Sequence, residues 1–263
     1  MIKLVVTDID GTLVDDNKNL SPDFWETVEK LTRKGIVFAI ASGRQYHALV
    51  RQFERIKDRT LFIAENGAYA AYENRELFTV SFNPAVVHNF IKIGRTIPDT
   101  YPVLCGKNST YVENDDEYFL SVVNHYCARL QRVDDLTQVG DTLLKFSMFD
   151  LVDSETNSYP HFKQFERDYK VAAAGKRWLD MTAPDANKGS ALRRVQEQLG
   201  ISPDETLVFG DYLNDLEMMR EAKHSYAMKN AHPEIIKAAN FVTDLDNNNY
   251  GVVDMIRKLC LGG

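Results

Sequence analysis

The stretch that decides the fold is Lys3-Leu4-Val5-Val6-Thr7-Asp8-Ile9-Asp10-Gly11-Thr12-Leu13. A short β-branched run of this kind is typical of a buried parallel strand. In open α/β sheets, ligands bind in the crevice beyond the carboxyl ends of such strands. Asp8 and Asp10 directly follow the run, so they place paired carboxylates at that edge. Such a pair suits a hard cation such as Mg²⁺, and an aspartate can also be a nucleophile that forms an aspartyl-phosphate.

The same acidic residues also fit a solvated turn. Asp and Gly are common turn residues, and the pattern Asp-x-Asp-Gly by itself does not separate the two interpretations. The choice between a turn and a functional site therefore depends on the residues at the ends of the other predicted strands.

The composition is that of an ordinary globular protein, with 44% hydrophobic and 26% charged residues among 263. This length is enough for one large domain or two modest ones. The formal net charge is −7, which disfavours a nucleic-acid partner because such proteins present a basic face. A phosphorylated small molecule remains compatible, since a local cation and helix N-termini can bind phosphate whatever the overall charge.

Three features of the sequence predict a cytoplasmic protein without membrane association. The cysteines Cys105, Cys127 and Cys260 form no Cys-x-x-Cys pair, so they indicate neither a zinc site nor a redox motif. The chain enters a strand at once, without a signal-peptide pattern. No apolar run in the sequence approaches the roughly 18 residues that a membrane span requires.

Strands and helices alternate at both ends of the chain. Ser21-Pro22 opens an amphipathic helix that Gly35 ends, and apolar strands lie on either side of it. This alternation predicts an α/β fold with a doubly wound parallel sheet. Because the same alternation resumes near the C-terminus, residues 1–82 and 187–263 are predicted to form one core.

The segment between these parts has a different pattern. Helices alternate there with antiparallel strands, which predicts a separate α+β domain over residues 83–186. Within it, apolar spacing predicts one helix over 116–130 and another, rich in aromatic residues, over 159–169. A domain inserted beside a crevice can close over it, exclude water and limit the size of the substrate.

Two predicted helix starts carry a cation, although the helix dipole disfavours positive charge there. In Ser42-Gly43-Arg44, a bound anion would remove the conflict at Arg44, and an ordinary Ser N-cap is the alternative. In Asn187-Lys188-Gly189-Ser190, Lys188 could be a point charge between a phosphate and an aspartate. The alternative for Lys188 is a solvated side chain.

Two further loops come directly after predicted strands. The first is Gly210-Asp211-Tyr212-Leu213-Asn214-Asp215, where Asp211 is a strand-end carboxylate. Asp215 could be part of the same site, or only a favourable carboxylate at a helix start. The second contains Asn66-Gly67, and Asn-Gly between apolar runs is a strong hairpin signal.

The ordered set of these motifs resembles the haloacid dehalogenase-like phosphohydrolase superfamily, and more narrowly its Cof-type sugar-phosphatase branch. The resemblance extends over essentially the whole chain. It implies a Rossmann-like core with an α+β cap domain inserted after the third strand. It also implies a Mg²⁺-dependent phosphatase that hydrolyses small phosphate monoesters, such as sugar phosphates, through an aspartyl-phosphate.

The resemblance also implies roles for particular residues. Asp8 is expected to be the nucleophile and Asp10 the general acid and base, while Lys188 stabilises charge between the phosphate and Asp8. The metal is expected to be bound by Asp8, Asp10 through its main-chain carbonyl, and Asp211, with indirect support from Asp215. Contacts to the phosphate and the substrate are expected from Thr12, Ser42, Gly43, Arg44, Asn66 and Asn214, with Gly67 lining the same pocket.

Two other functions are compatible with the sequence. One is a phosphomutase on the same fold, and the other is a phosphate-ligand binding or regulatory protein without turnover. The intact set of Asp8, Asp10, Lys188 and Asp211 favours turnover. The chain departs from the superfamily pattern at Tyr212-Leu213, where relatives often carry smaller or more polar residues, and at Lys229, where they often carry glycine.

Overall fold

The computed structural model describes residues 1–262, except for the side chains of His125 and Tyr126. The chain divides into two compact units. The first unit comprises Met1–Gly43, Phe53–Phe78 and Asn187–Gly263, and the second comprises Arg44–Gln52 and Thr79–Ala186.

The strands of both units, in chain order, are β1 Leu4–Thr7, β2 Val37–Ala41, β3 Thr60–Ala64, β4 Tyr69–Tyr72, β5 Arg75–Thr79, β6 Thr100–Gly106, β7 Thr110–Val112, β8 Leu130–Arg132, β9 Leu143–Asp150, β10 Lys170–Ala173, β11 Trp178–Thr182, β12 Thr206–Gly210, β13 His224–Ala227 and β14 Phe241–Val242. The helices are α1 Phe24–Arg33, α2 Tyr46–Gln52, α3 Pro84–Gly94, α4 Glu117–Tyr126, α5 Tyr159–Phe162, α6 Lys188–Leu199, α7 Leu216–Arg220, α8 Pro233–Ala238 and α9 Gly251–Ile256.

The first unit is built on a sheet with the strand order β14-β13-β12-β1-β2-β3-β4-β5. The strands from β14 to β3 are parallel to one another, and β4 is antiparallel to β3. β1 lies inside the sheet, between β12 and β2, and all four of its residues are fully buried. The α/β fold class and the buried parallel strand before Asp8 are therefore confirmed.

Helix α6 shows why the local sequence begins and ends it. The Asn187 side chain accepts a hydrogen bond from the Ser190 backbone N–H at 2.8 Å, which caps the first turn. Gly200 ends the helix in the left-handed conformation, with φ of 63°. The Asn187 cap fixes the point at which Lys188 enters the helix.

The second unit has a sheet with the order β10-β11-β9-β6-β7-β8 and a core rich in aromatic side chains. The predicted helix over 116–130 is too long, because α4 ends at Tyr126 and Leu130 lies in β8, parallel to β7. The backbone is already extended at Cys127, and Thr110 donates to the Arg129 carbonyl at 3.0 Å. Pairing with the sheet therefore overrides the helical periodicity.

The predicted helix over 159–169 is also shorter than expected. The regular helix is confined to α5, and a tighter 3₁₀ turn over Lys163–Phe165 comes after it. Phe162 is fully buried against Phe90 and Phe146, so core packing of individual rings determines this path. None of the helices within residues 1–262 has the length and hydropathy needed to cross a bilayer.

Candidate active site

Two of the predicted acidic residues lie together at the carboxyl edge of the sheet in the first unit. Asp8 directly follows β1, and Asp211 directly follows the neighbouring parallel strand β12. The Asp8 backbone N–H donates to the Phe209 carbonyl at 3.1 Å, so the pairing of the two strands continues to the first acid. The sheet thus determines which two loops meet.

Lys188 is the buried cation of this site. Its side chain is 0% exposed, and its Nζ donates to Asp8 Oδ1 at 2.5 Å and to Asp215 Oδ1 at 2.7 Å. The alternative of a solvated lysine is therefore wrong. Two carboxylates compensate for the unfavourable position of this charge in the first turn of α6.

Asp215 connects the lysine to the loop over residues 211–215, which follows β12 and is called the second acidic loop. Its Oδ2 accepts backbone N–H bonds from Asp211 at 3.0 Å and from Tyr212 at 3.2 Å, while Oδ1 contacts Lys188. The side chain is fully buried. Asp215 therefore does stabilise the start of a turn, as the alternative proposed, and it also belongs to the charged cluster.

Three carboxylates form a group that could hold a metal ion. One oxygen from each of Asp8, Asp211 and Asp215 lies within 4.8 Å of the other two. Thr12 Oγ1 donates to Asp211 Oδ1 at 2.7 Å, which orients that carboxylate. The residues fit a hard divalent cation, because all three ligands are oxygens. The single positive charge of Lys188 also leaves this group of three carboxylates net negative.

Burial and like charge make this cluster electrostatically strained. Burial raises the pKa of Asp8 from 3.8 to about 7; the charge of Lys188 offsets part of this rise, and the charge of Asp215 raises the pKa by a smaller amount. Burial likewise raises the pKa of Asp211 to about 6, although the hydrogen bond from Thr12 lowers it. Burial alone would lower the pKa of Lys188, but the charges of Asp215 and Asp8 raise it, so the lysine stays protonated.

Two glycines allow the loops to approach closely. Gly11 has a φ of +78°, and a Cβ there would lie 2.3 Å from Asp211 Oδ2. Gly67 has a φ of +98°, and a Cβ there would lie 2.3 Å from the Asn187 carbonyl oxygen. Any other residue at position 11 would separate the loop over residues 8–16, called the first acidic loop, from Asp211. Any other residue at position 67 would separate the turn after β3 from the start of α6.

The Asp10 carboxylate lies outside the group of three. It is 44% exposed and forms an ion pair with Lys18, at 2.9 Å between Oδ1 and Nζ. The acid–base and metal-binding roles of Asp10 therefore remain predictions that the arrangement of carboxylates does not address.

Three of the predicted phosphate-binding residues form one hydrogen-bonded network. Ser42 is buried, and its carbonyl accepts from the Asn66 backbone N–H at 3.0 Å. The Asn214 side chain donates to Asn66 Oδ1 at 3.2 Å, and a Cβ on Gly43 would lie 3.0 Å from the same oxygen. Asn66-Gly67 also connects the antiparallel strands β3 and β4, so the hairpin interpretation and the pocket interpretation are compatible.

Arg44 differs from its expected place in a first turn. Helix α2 begins at Tyr46, and the Gln45 carbonyl accepts the first helical bonds, from Ala48 and Leu49. Arg44 therefore precedes the helix, in the second unit, where its guanidinium donates to Gln52 Oε1 at 2.8 Å. Its contact with substrate remains a prediction.

Comparison with known sequences identifies the family. A profile of the haloacid dehalogenase-like hydrolases matches residues 5–256 of the chain. The chain belongs to the haloacid dehalogenase-like hydrolases. The resemblance of its motifs to this superfamily and to the Cof-type branch is confirmed.

Named relatives of this hydrolase are phosphatases. The 5-amino-6-(5-phospho-D-ribitylamino)uracil phosphatase YbjI of Escherichia coli is 32% identical over 263 residues, covering 98% of this chain and 96% of that protein. The phosphatase YcsE of Bacillus subtilis, with the same substrate in its name, is 26% identical over 262 residues, covering 99% and 96%. A solved structure from Eubacterium rectale has a TM-score of 0.90 and 30% identity, covering 98% of both chains. The prediction of a phosphoric monoester hydrolase is confirmed.

The departures of this hydrolase from the superfamily pattern are accommodated locally. Lys229 is exposed and is not among the described residues with positive φ, so its backbone does not require glycine. Tyr212 and Leu213 are also exposed, and the Tyr212 ring packs edge-on against His232. These substitutions leave the carboxylate contacts intact.

Sequence reasoning missed the asparagines behind the first acidic loop. Asn230 donates to the Gly11 carbonyl at 2.8 Å, and the buried Asn247 donates to the Val14 carbonyl at 3.2 Å. The run Asn247-Asn248-Asn249 has the composition of an ordinary loop. Asn247 stands out only because its polar side chain is buried, and burial of a single side chain cannot be predicted from a sequence pattern.

Proposed function

We propose that this protein is a Mg²⁺-dependent phosphatase that hydrolyses small phosphate monoesters through an aspartyl-phosphate on Asp8. The observation that carries the proposal is the pair between Asp8 and the buried Lys188, beside the carboxylates of Asp211 and Asp215. Phosphoryl transfer depends mainly on positioning and charge stabilisation, and this cluster offers both.

The chemistry divides between two aspartates. An Asp8 oxygen attacks phosphorus as the bond to the ester oxygen breaks, and Asp10 donates a proton to that leaving oxygen. Asp10 then accepts a proton from water, whose oxygen attacks the phosphorus and releases Asp8 and inorganic phosphate. When bound, the metal neutralises charge on the phosphoryl oxygens.

Other side chains would position the phosphoryl group. Lys188 offsets charge beside Asp8, while Ser42, Asn66 and Asn214 offer hydrogen-bonding groups from a connected network. Thr12 orients Asp211. These contacts recognise any phosphate monoester, so they favour turnover without selecting the alcohol.

Exhaustive treatment with EDTA is expected to abolish phosphate release. Added Mg²⁺ should restore it and Zn²⁺ should substitute poorly, because the cluster offers carboxylate oxygens rather than His or Cys ligands. A colorimetric assay with p-nitrophenyl phosphate checks this. Full turnover in the treated enzyme would contradict the metal requirement.

Asp10→Asn is expected to lower kcat by about 10²–10⁴-fold, the usual contribution of a general acid or base. The Asp10–Lys18 pair is largely exposed, so the variant should fold normally. Lys18→Met is the matched control, since it breaks the same ion pair but keeps the carboxyl group. An Asp10→Asn variant with normal kcat would show that another group transfers the proton.

We propose that the substrate is a sugar or sugar alcohol that carries a phosphate. We also propose that the protein is cytoplasmic. The relatives YbjI and YcsE are named for 5-amino-6-(5-phospho-D-ribitylamino)uracil, in which a ribityl chain carries the phosphate. A phosphate-release screen should include this compound, sugar phosphates and nucleotides. Isomerised substrate instead of free phosphate would indicate a phosphomutase.

We also propose that residues 83–186 form the cap domain that selects the substrate, with 1–82 and 187–263 as the catalytic core. Discrimination must come from contacts to the part of the substrate that varies. Exchanging residues 83–186 with those of a relative of different preference should reorder kcat/KM across the screen while keeping the metal requirement. A folded chimaera with the original ranking would contradict this division.

A further inference from the structure

The turn over residues 228–232 lies beside the second acidic loop. It comes after β13 and leads into α8. The Met228 N–H donates to the Gly210 carbonyl at 3.0 Å, and the His232 N–H donates to the Asp211 carbonyl at 2.8 Å. Two backbone hydrogen bonds therefore attach this turn to the loop that carries Asp211.

Asn230, in the middle of this turn, contacts the first acidic loop. Its Nδ2 donates to the carbonyl oxygen of Gly11, the residue after Asp10, at 2.8 Å. Gly11 is also the residue whose Cα approaches the Asp211 carboxylate too closely for a Cβ. The Asn230 amide thus connects the two loops at the point where they converge.

Asn247 fixes the orientation of this amide. Its backbone N–H donates to Asn230 Oδ1 at 3.1 Å, which leaves Nδ2 directed at Gly11. The Asn247 side chain is 2% exposed and donates to the Val14 carbonyl at 3.2 Å and to Asp16 Oδ1 at 3.0 Å. Hydrogen bonds from Asn230 and Asn247 therefore hold the first acidic loop at Gly11, Val14 and Asp16, all of which follow Asp10.

We propose that Asn230 is a positioning residue that sets the separation of the two acidic loops and thereby the affinity for the divalent metal. The proposal rests on the proposed function, because it assumes that these carboxylates bind a metal. Residues that orient metal ligands typically change metal affinity by about 10–100-fold when they are substituted. Asn230 itself is exposed, so its removal should alter the site more than the stability of the fold.

Asn230→Ala is expected to weaken Mn²⁺ binding by about 10–100-fold, measured by calorimetry on the substrate-free protein. In the phosphatase assay, kcat at a fixed low Mg²⁺ concentration should fall, and raising Mg²⁺ should restore it. Asn230→Asp keeps the acceptor for Asn247 but loses the donor to Gly11, so it should show the same loss. The melting temperature of the metal-free variants should stay close to that of the wild type.

Asn240→Ala is the matched control. Asn240 is another exposed asparagine of the first unit, and its amide donates to the Lys223 carbonyl at 3.0 Å, not to an acidic loop. This variant should keep wild-type Mn²⁺ affinity. Equal losses in the two alanine variants, or wild-type affinity in both Asn230 variants, would overturn the proposal. A wild-type protein that binds Mn²⁺ without releasing phosphate would instead overturn the proposed function, and one that binds no Mn²⁺ would overturn both.

Discussion

Asp8→Asn is expected to abolish turnover while substrate binding largely survives. The asparagine keeps an Oδ1 that can accept the hydrogen bond of Lys188, so the shape of the site is preserved. An amide cannot serve as the nucleophile, and loss of a nucleophile lowers kcat by about 10⁴-fold or more. Phosphate release measures the first effect, and calorimetric titration with a slow substrate measures the second.

The covalent intermediate provides a direct check of the same residue. Mass spectrometry of rapidly quenched wild-type enzyme should find phosphate on Asp8, and the variant should show none. Asp204→Asn, at an exposed aspartate of the first unit, is the control that should leave turnover unchanged. Phosphate on a serine or histidine would refute the mechanism.

The raised pKa of Asp8 adds a stability effect to this variant. A folded-state carboxyl whose pKa is about 7 prefers its protonated form, so the metal-free protein loses stability as pH rises through that value. Asn cannot ionise, and Asp8→Asn should therefore be more stable than the metal-free wild type at pH 8. The difference should shrink as pH falls below 7 and disappear near pH 4, where the carboxyl is protonated in the unfolded chain as well as in the folded protein. Urea denaturation at pH 8 and near pH 4 measures the difference.

Much of the core could be predicted because its signals are local. The run before Asp8 is apolar enough to require burial, and Asn187 and Gly200 are standard helix boundaries. Lys188 stood out because a cation at a helix start conflicts with the dipole. The structure resolves that conflict with carboxylates rather than solvent.

The parts that could not be predicted depend on contacts between distant positions. Asn230 and Asn247 reach Gly11 and Val14 across 219 and 233 residues, and their amides carry no local pattern. Leu130 continued the apolar spacing of a helix but pairs with a strand instead. In both cases hydrogen bonds between residues far apart in the sequence determine the structure, and the spacing of apolar residues does not reveal these bonds.

Lys188→Met is expected to destabilise the protein by about 3–5 kcal/mol at pH 8, besides abolishing turnover. Removing one partner of a buried ion pair leaves uncompensated charge in the interior. Here Asp8 and Asp215 would both lose the ammonium group that lies within 2.7 Å of them. The free energy of unfolding from urea denaturation checks the magnitude. Lys223→Met, at an exposed ion pair with Asp204, should leave it nearly unchanged.

The pH dependence separates lost charge from lost packing. Lys188 lowers the pKa of Asp8, so its removal should raise that pKa further above its unfolded value. A carboxyl with a raised folded pKa stabilises at low pH, where it is protonated, and this stability is lost as pH rises through the folded value. The loss in free energy of unfolding caused by Lys188→Met should therefore be smallest near pH 5 and grow toward pH 8. Adding Asp8→Asn to the same chain should recover part of this loss. A loss in free energy of unfolding that does not vary with pH would mean that Lys188 stabilises the core by packing rather than by charge.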